Sequence, residues 1–145
     1  MPTTSEVHIL MIEDDSLDVE LFKRELKKNR VANQFTAAKD GVEGLEILRG
    51  ENGYTALKRP YLIVLDINMP RMNGLEFLQE LRGDERLRDS IVFIMTTSAD
   101  ERDRYEAHNL NVAGYMVKSE LGSSFLRAID MLQHYWKIVY FPNGD

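Results

Sequence analysis

Leu62-Ile63-Val64-Leu65-Asp66-Ile67-Asn68-Met69-Pro70 is the stretch that decides the fold. Four consecutive apolar residues read as a strand buried on both faces, the kind found inside a parallel sheet. The run ends in one carboxylate, Asp66, after which Met69-Pro70 and Asn73-Gly74 turn the chain away. In open α/β sheets ligands bind beyond the carboxyl ends of the strands, which places Asp66 for chemistry.

Working outward, residues 7–12 form a second apolar run that ends directly in Glu13-Asp14-Asp15-Ser16. A helical pattern follows through Val19, Leu21, Phe22 and Leu26, with Asp15 or Ser16 as its cap and an end near Asn29. Residues 34–38 are a weaker strand, and Asp40-Gly41 leads into a helix carrying Val42, Leu45, Ile47 and Leu48. Residues 49–60 read mainly as loop, with room for a helical turn over 54–57. Downstream, Leu75, Phe77, Leu78 and Leu81 mark a helix stopping near Gly83. Residues 91–96 are another apolar strand ending in hydroxyls, 100–110 a polar helix, 114–118 a short strand, and 123–140 a last helix. Five strands alternating with helical segments predict an α/β fold, a parallel sheet with helices on both faces joined by right-handed crossovers. Pattern alone does not order the strands.

The 145 residues fit a single domain spanning 1–145, with a core over about 7–132 and a helical extension over about 133–145. A formal net charge of −6 argues against binding a nucleic-acid backbone. The absence of cysteine excludes disulfides and thiolate metal sites. The first residues carry no charged-then-apolar signal, and no apolar run approaches the ~20 residues of a membrane span. The expectation is a cytoplasmic protein without membrane or nucleic-acid partners.

Glu13 and Asp14 follow the first strand, Asp66 ends the third, Thr96 ends the fourth and Lys118 follows the fifth. Singly, such residues are usually helix caps or solvated side chains. Together, on one edge of a parallel sheet, they suit one reaction. Carboxylates within ~4 Å repel by roughly 4 kcal/mol per pair at an effective dielectric near 20, so a cation must offset them. An oxygen-only ligand set suits Mg²⁺, and Lys118 adds a second positive charge. An Asp66 held ionised by those charges is a competent nucleophile toward phosphorus. Phosphoryl transfer then needs chiefly positioning and neutralised oxygens, for which Thr96 and Lys118 are suited.

The chain resembles the response-regulator receiver domains of two-component signalling. The resemblance rests on Ile12-Glu13-Asp14-Asp15, Leu65-Asp66-Ile67-Asn68-Met69-Pro70 with Asn73-Gly74, Met95-Thr96-Thr97, and Gly114-Tyr115-Met116-Val117-Lys118. It implies a flavodoxin-like (CheY-like) doubly wound five-stranded sheet in the order 2-1-3-4-5. It also implies that Asp66 accepts a phosphoryl group from a sensor histidine kinase, and that Asp14, Asp66 and, through water, Glu13 hold Mg²⁺. Asn68 falls where a main-chain carbonyl ligates the metal, Thr96 where a hydroxyl moves toward the phosphoryl group, Lys118 where a lysine pairs with it, and Tyr115 where an aromatic residue switches. Such a domain assists its own phosphorylation and slow dephosphorylation without being an enzyme in its own right. The switched surface is the face of the fourth helix, fifth strand and fifth helix.

Two features depart from the family pattern. Ser119 replaces the proline usual after the lysine, which makes a cis bond there improbable, and residues 49–60 are longer than the usual link. With the apolar stripe Leu121, Phe125, Ile129, Leu132, Trp136, Val139 and a second one through Met131, Tyr135 and Ile138, these features resemble the single-domain response regulators of bacterial phytochromes. That resemblance implies a bacteriophytochrome kinase as donor. The two stripes themselves read either as a long helix with some exposed aromatics or as a homodimer through residues 125–141, with Trp136 and Tyr135 as anchors, and the homodimer is the expectation. A flavodoxin is disfavoured because Glu13-Asp14-Asp15 would repel its cofactor phosphate. An aspartyl phosphatase is disfavoured because Asn68 stands where its acid/base carboxylate belongs. A degenerate receiver is disfavoured by the complete acidic, hydroxyl and lysine set.

Overall fold

The computed structural model describes residues 7–28, 31–69, 71–97 and 111–118. Five parallel strands, β1 (His8–Ile12), β2 (Phe35–Ala38), β3 (Tyr61–Asp66), β4 (Ile91–Thr96) and β5 (Gly114–Val117), form one sheet in the order β2-β1-β3-β4-β5. The expected fold class and strand order are both met. Every residue of β3 is buried, because the strand lies between β1 and β4 and is covered on both faces.

Three described helices cover the sheet: α1 (Ser16–Lys28), α2 (Gly41–Arg49) and α3 (Gly74–Gly83). Alternate residues of each strand feed opposite sides, as a two-residue side-chain period requires. Ile9, Met11, Leu62, Val64, Phe93, Met95 and Met116 pack with Val19, Phe22 and Leu26 of α1. Leu10, Ile12, Ile63, Leu65, Val92 and Ile94 pack with Leu45, Ile47 and Leu48 of α2 and with Phe77, Leu78 and Leu81 of α3.

Helix starts are set by short polar side chains. Asp15 Oδ1 accepts from the Leu17 N–H at 2.9 Å at the head of α1, and Asp40 Oδ1 accepts from Glu43 at 2.8 Å at the head of α2. Asn73 and Glu76 exchange side-chain bonds with each other's backbone N–H, the reciprocal arrangement that starts α3. Asn73-Gly74 is thus the first step of a helix as well as a turn. Gly74 is required by proximity: a Cβ there would stand 2.7 Å from Ile67 Cα.

The segment between α2 and β3 differs from expectation at one point. Gly50 ends α2 in the left-handed region at φ 74°. No helical turn forms over 54–57. The Tyr54 N–H instead bonds to Glu51 O and the Leu57 N–H reaches back to Ile47 O, so the backbone groups are satisfied without a helix. The helices expected over 100–110 and 123–140, including the extension over 133–145 and the dimer segment 125–141, lie outside the described residues, as does Ser119. No described helix is long and apolar enough to cross a membrane.

Candidate functional site

The site is built where β1, β3 and β5 end. Glu13 follows β1 and continues the side-chain alternation of Ile9 and Met11, toward α1. Asp66 continues that of Leu62 and Val64, toward the same side. Lys118 follows Met116 by two residues and reaches the same side, where its Nζ stands 2.8 Å from Asp18 Oδ2, 3.0 Å from Glu13 Oε1 and 3.6 Å from Asp66 Oδ2. Three strands thus deliver two carboxylates and an ammonium into one small volume.

Glu13 and Asp66 are each only 3 % exposed, whereas Asp14 faces solvent. One carboxylate oxygen from each of Glu13, Asp14 and Asp66 lies within 4.8 Å of the others. This donor set is all oxygen, with no thiolate or imidazole, and its spacing fits ligands ~2.0–2.6 Å from one hard divalent cation. Asn68 is held beside it: its backbone N–H donates to Asp66 Oδ1 at 3.2 Å.

The electrostatics follow from crowding. Burial, then a hydrogen bond with Asp66 and the charge of that residue, push the Glu13 carboxyl up to about 9, against the opposing pull of Lys118. Burial alone would disfavour the Lys118 ammonium, but its bonds to Asp18 and Glu13 and the charge of Asp66 outweigh that and hold it protonated above the ordinary lysine range.

Thr96 and Tyr115 lie on the other side of the sheet. Thr96 continues the alternation of Val92 and Ile94, is fully buried, and its Oγ1 has no hydrogen-bond partner among the described residues. Glu13 Oε1 is likewise buried, its contact among the described residues being with the Lys118 ammonium at 3.0 Å. Buried polar atoms of this kind are uncommon and call for an explanation. Tyr115 is half-buried, pairs with Ile94 in the β4–β5 register, and packs on the α2–α3 side.

Two contacts escape a reading of the sequence. Asp18, in the first turn of α1, takes the shortest of the three ion pairs to Lys118, 100 residues away. Arg71 Nη1 lies 3.2 Å from the buried Asp40 Oδ2, tethering the loop after β3 to the start of α2. The first carboxylate had an ordinary explanation as a helix N-terminal acid, and nothing local signals either partner.

A doubly wound sheet in this strand order, with acidic groups and a lysine converging past its carboxyl edge, defines a class of signalling domain. The chain belongs to the response regulator receiver domain family, whose family model matches residues 9–130. Its relatives include phytochrome response regulators. Response regulator Rcp1 of Synechocystis sp. is 29 % identical over 128 residues, 88 % of this chain and 87 % of Rcp1. An Mn²⁺-bound form of Rcp1 superposes with a TM-score of 0.72 at 28 % identity, covering 94 % of this chain and 99 % of the other. The bacteriophytochrome response regulator RtBRR superposes with a TM-score of 0.82 at 31 % identity, over 96 % of this chain and 86 % of RtBRR. AtBRR, another bacteriophytochrome response regulator, gives 0.78 at 32 % identity, over 94 % and 99 %.

Proposed function

We propose that this receiver domain is a phosphorylation switch in which Asp66 accepts a phosphoryl group from a sensor histidine kinase in the presence of Mg²⁺. The observation that carries the reading is the convergence of Lys118 Nζ on Glu13 at 3.0 Å and Asp66 at 3.6 Å, beside three carboxylates within 4.8 Å of one another. A purely structural ion pair would not need a cluster of acids this crowded.

Glu13, Asp14, Asp66 and the main-chain carbonyl of Asn68 are the groups that would hold the metal. The manganese in the solved form of Rcp1 supports a divalent cation here, and Mg²⁺ is the assignment the all-oxygen donor set favours. When bound, the cation supplies charge neutralisation for the carboxylates and the incoming phosphoryl oxygens. Asp66 supplies the nucleophile: one carboxylate oxygen forms an O–P bond as the P–N bond of the donor phosphohistidine breaks. The electron pair of that bond goes to the imidazole nitrogen, which takes up a proton from water. Lys118 pairs with the transferred group, and the buried Thr96 hydroxyl donates to it. Because Thr96 and Tyr115 belong to one side of neighbouring strands, withdrawal of Thr96 opens space into which Tyr115 turns. The result biases an existing two-state equilibrium of the β4–β5 side and the helices beside it. The domain is an acceptor that assists its own phosphorylation and slow dephosphorylation.

Relatedness to bacteriophytochrome response regulators favours a bacteriophytochrome as kinase, and hence a cytoplasmic setting. The two apolar stripes of residues 125–141 favour a homodimer, for which a monomer mass by light scattering at tens of micromolar would be the contrary result. The acceptor assignment is tested by exposing the parent and Asp66→Asn to acetyl phosphate or the cognate kinase with Mg²⁺. Labelling is expected on the parent alone, and a labelled Asp66→Asn protein would overturn the assignment.

A further inference from the structure

Lys118 is bonded more closely to a residue outside the carboxylate cluster than to Asp66. Its Nζ is 2.8 Å from Asp18 Oδ2, a hydrogen bond, and 3.6 Å from Asp66 Oδ2, beyond hydrogen-bond reach. Asp18 is part-buried, its side chain 28 % exposed against 25 % for Lys118, so the pair is not a fully solvated surface contact. An acid in the first turn of a helix has an ordinary purpose in offsetting the helix dipole. That purpose requires only proximity to the helix end, and it leaves unexplained why the carboxylate is directed across the sheet edge at the ammonium that, among the described residues, faces Asp66.

We propose that Asp18 is a positioning residue for Lys118, a latch on α1 that draws the ammonium away from Asp66 at rest and releases it when a phosphoryl group arrives. The proposal rests on the reading of Asp66 as phosphoryl acceptor. An ammonium has three N–H donors on a flexible stem and moves by rotating that stem. At rest its neighbours are Asp18, Glu13 and, further away, Asp66. A phosphorylated Asp66 extends two or more charged oxygens past the position of the carboxylate, and these compete with Asp18 for the same donors. Asp18 therefore weakens the hold of the site on a phosphoryl group, and the hand-over links occupancy of the site to the first turn of α1.

The test is a mutant cycle read two ways. Beryllofluoride, a phosphoryl mimic, is titrated with Mg²⁺ into the parent, Asp18→Asn, Asp18→Glu, Lys118→Met and the Asp18→Asn/Lys118→Met double variant by calorimetry. Asp18→Asn is expected to bind about fivefold more tightly, the effect of losing one part-exposed competing ion pair, and Asp18→Glu to stay within about twofold of the parent. In the Lys118→Met background the same Asp18→Asn change is expected to have no effect. Tightening that persists there would mean that only the general negative field was relieved, and it overturns the latch. Urea unfolding of the same set, without beryllofluoride, gives the second readout. Asp18→Asn is expected to lower the midpoint of the parent and leave that of Lys118→Met unchanged; equal losses in both would assign Asp18 to the helix alone and overturn the proposal. A parent that binds beryllofluoride alongside an unchanged Asp18→Asn variant defeats the latch and spares the acceptor reading. A parent that binds none defeats both.

Discussion

Lys118 Nζ, just past β5, stands 3.0 Å from Oε1 of Glu13, a residue 3 % exposed just past β1, although β3 and β4 lie between those two strands in the sheet. The one cation among these described acids is thus built into the fold. Removing one partner of a part-buried ion pair leaves the other charges uncompensated, although solvent at the half-open site screens the loss. Lys118→Met is expected to destabilise the metal-free protein by roughly 1–2 kcal/mol in urea unfolding. Added Mg²⁺ is expected to recover part of that, because a second cation then serves the same acids. An unfolding midpoint equal to that of the parent in EDTA would show that Lys118 does not neutralise the cluster.

Asp14 is the exposed member of the three acids and the one least tied to other groups. Exchanging it for Asn removes a charge from a mutually repelling set while keeping its shape. In EDTA, Asp14→Asn is expected to raise the melting temperature by about 2–4 °C, the shift that a kilocalorie-scale gain produces in a domain of this size. With Mg²⁺ the order should reverse, since the variant is expected to bind the metal at least ~10-fold more weakly and to gain less from it. Thermal melts with and without Mg²⁺ would decide this, and a variant less stable than its parent in EDTA would contradict the repulsion.

Far from this edge, His8 lies at the opposite end of β1, with Nε2 2.6 Å from Thr36 Oγ1. Burial lowers its pKa below the ordinary 6.5, and a bond with Gln34 opposes the shift only in part. The unfolded chain therefore takes up a proton near pH 6.5 that the folded protein still refuses. The contribution of His8 to stability is fully present above that pH and is lost as the pH falls from 6.5 toward the lower folded value. His8→Gln, which keeps a polar group of similar reach, is expected to flatten the fall in stability between pH 7.5 and 5.5. Parallel curves for the two proteins would show that His8 does not contribute.

The fold was legible because its strands announce themselves. Residues 61–66 could only be a strand covered on both faces, and burial of all six agrees. Strand order was not derivable from that pattern and came from family resemblance. At the site, Glu13, Asp14, Asp66 and Lys118 were legible because each directly ends or follows an apolar run, and the structure brings all four together. Asp18 was not, because a carboxylate in a first helical turn already has a local explanation, and its partner lies 100 residues on. The expected turn over 54–57 failed for a related reason. Local pattern could not foresee that the Leu57 N–H would be claimed by Ile47 O, ten residues back.

The alternation of side chains along the strands divides the labour of this domain. Asp66, Glu13 and Lys118 follow the α1 side of the sheet, whereas Thr96 and Tyr115 follow the side of α2 and α3. The sheet is consequently a partition one backbone thick, with the acids and their ammonium in one room and the Tyr115 ring in the other. Under the proposed switch, a phosphoryl group on Asp66 is felt beyond that partition through the tip of β4, where Thr96 would have to lean or rotate before the far room could answer.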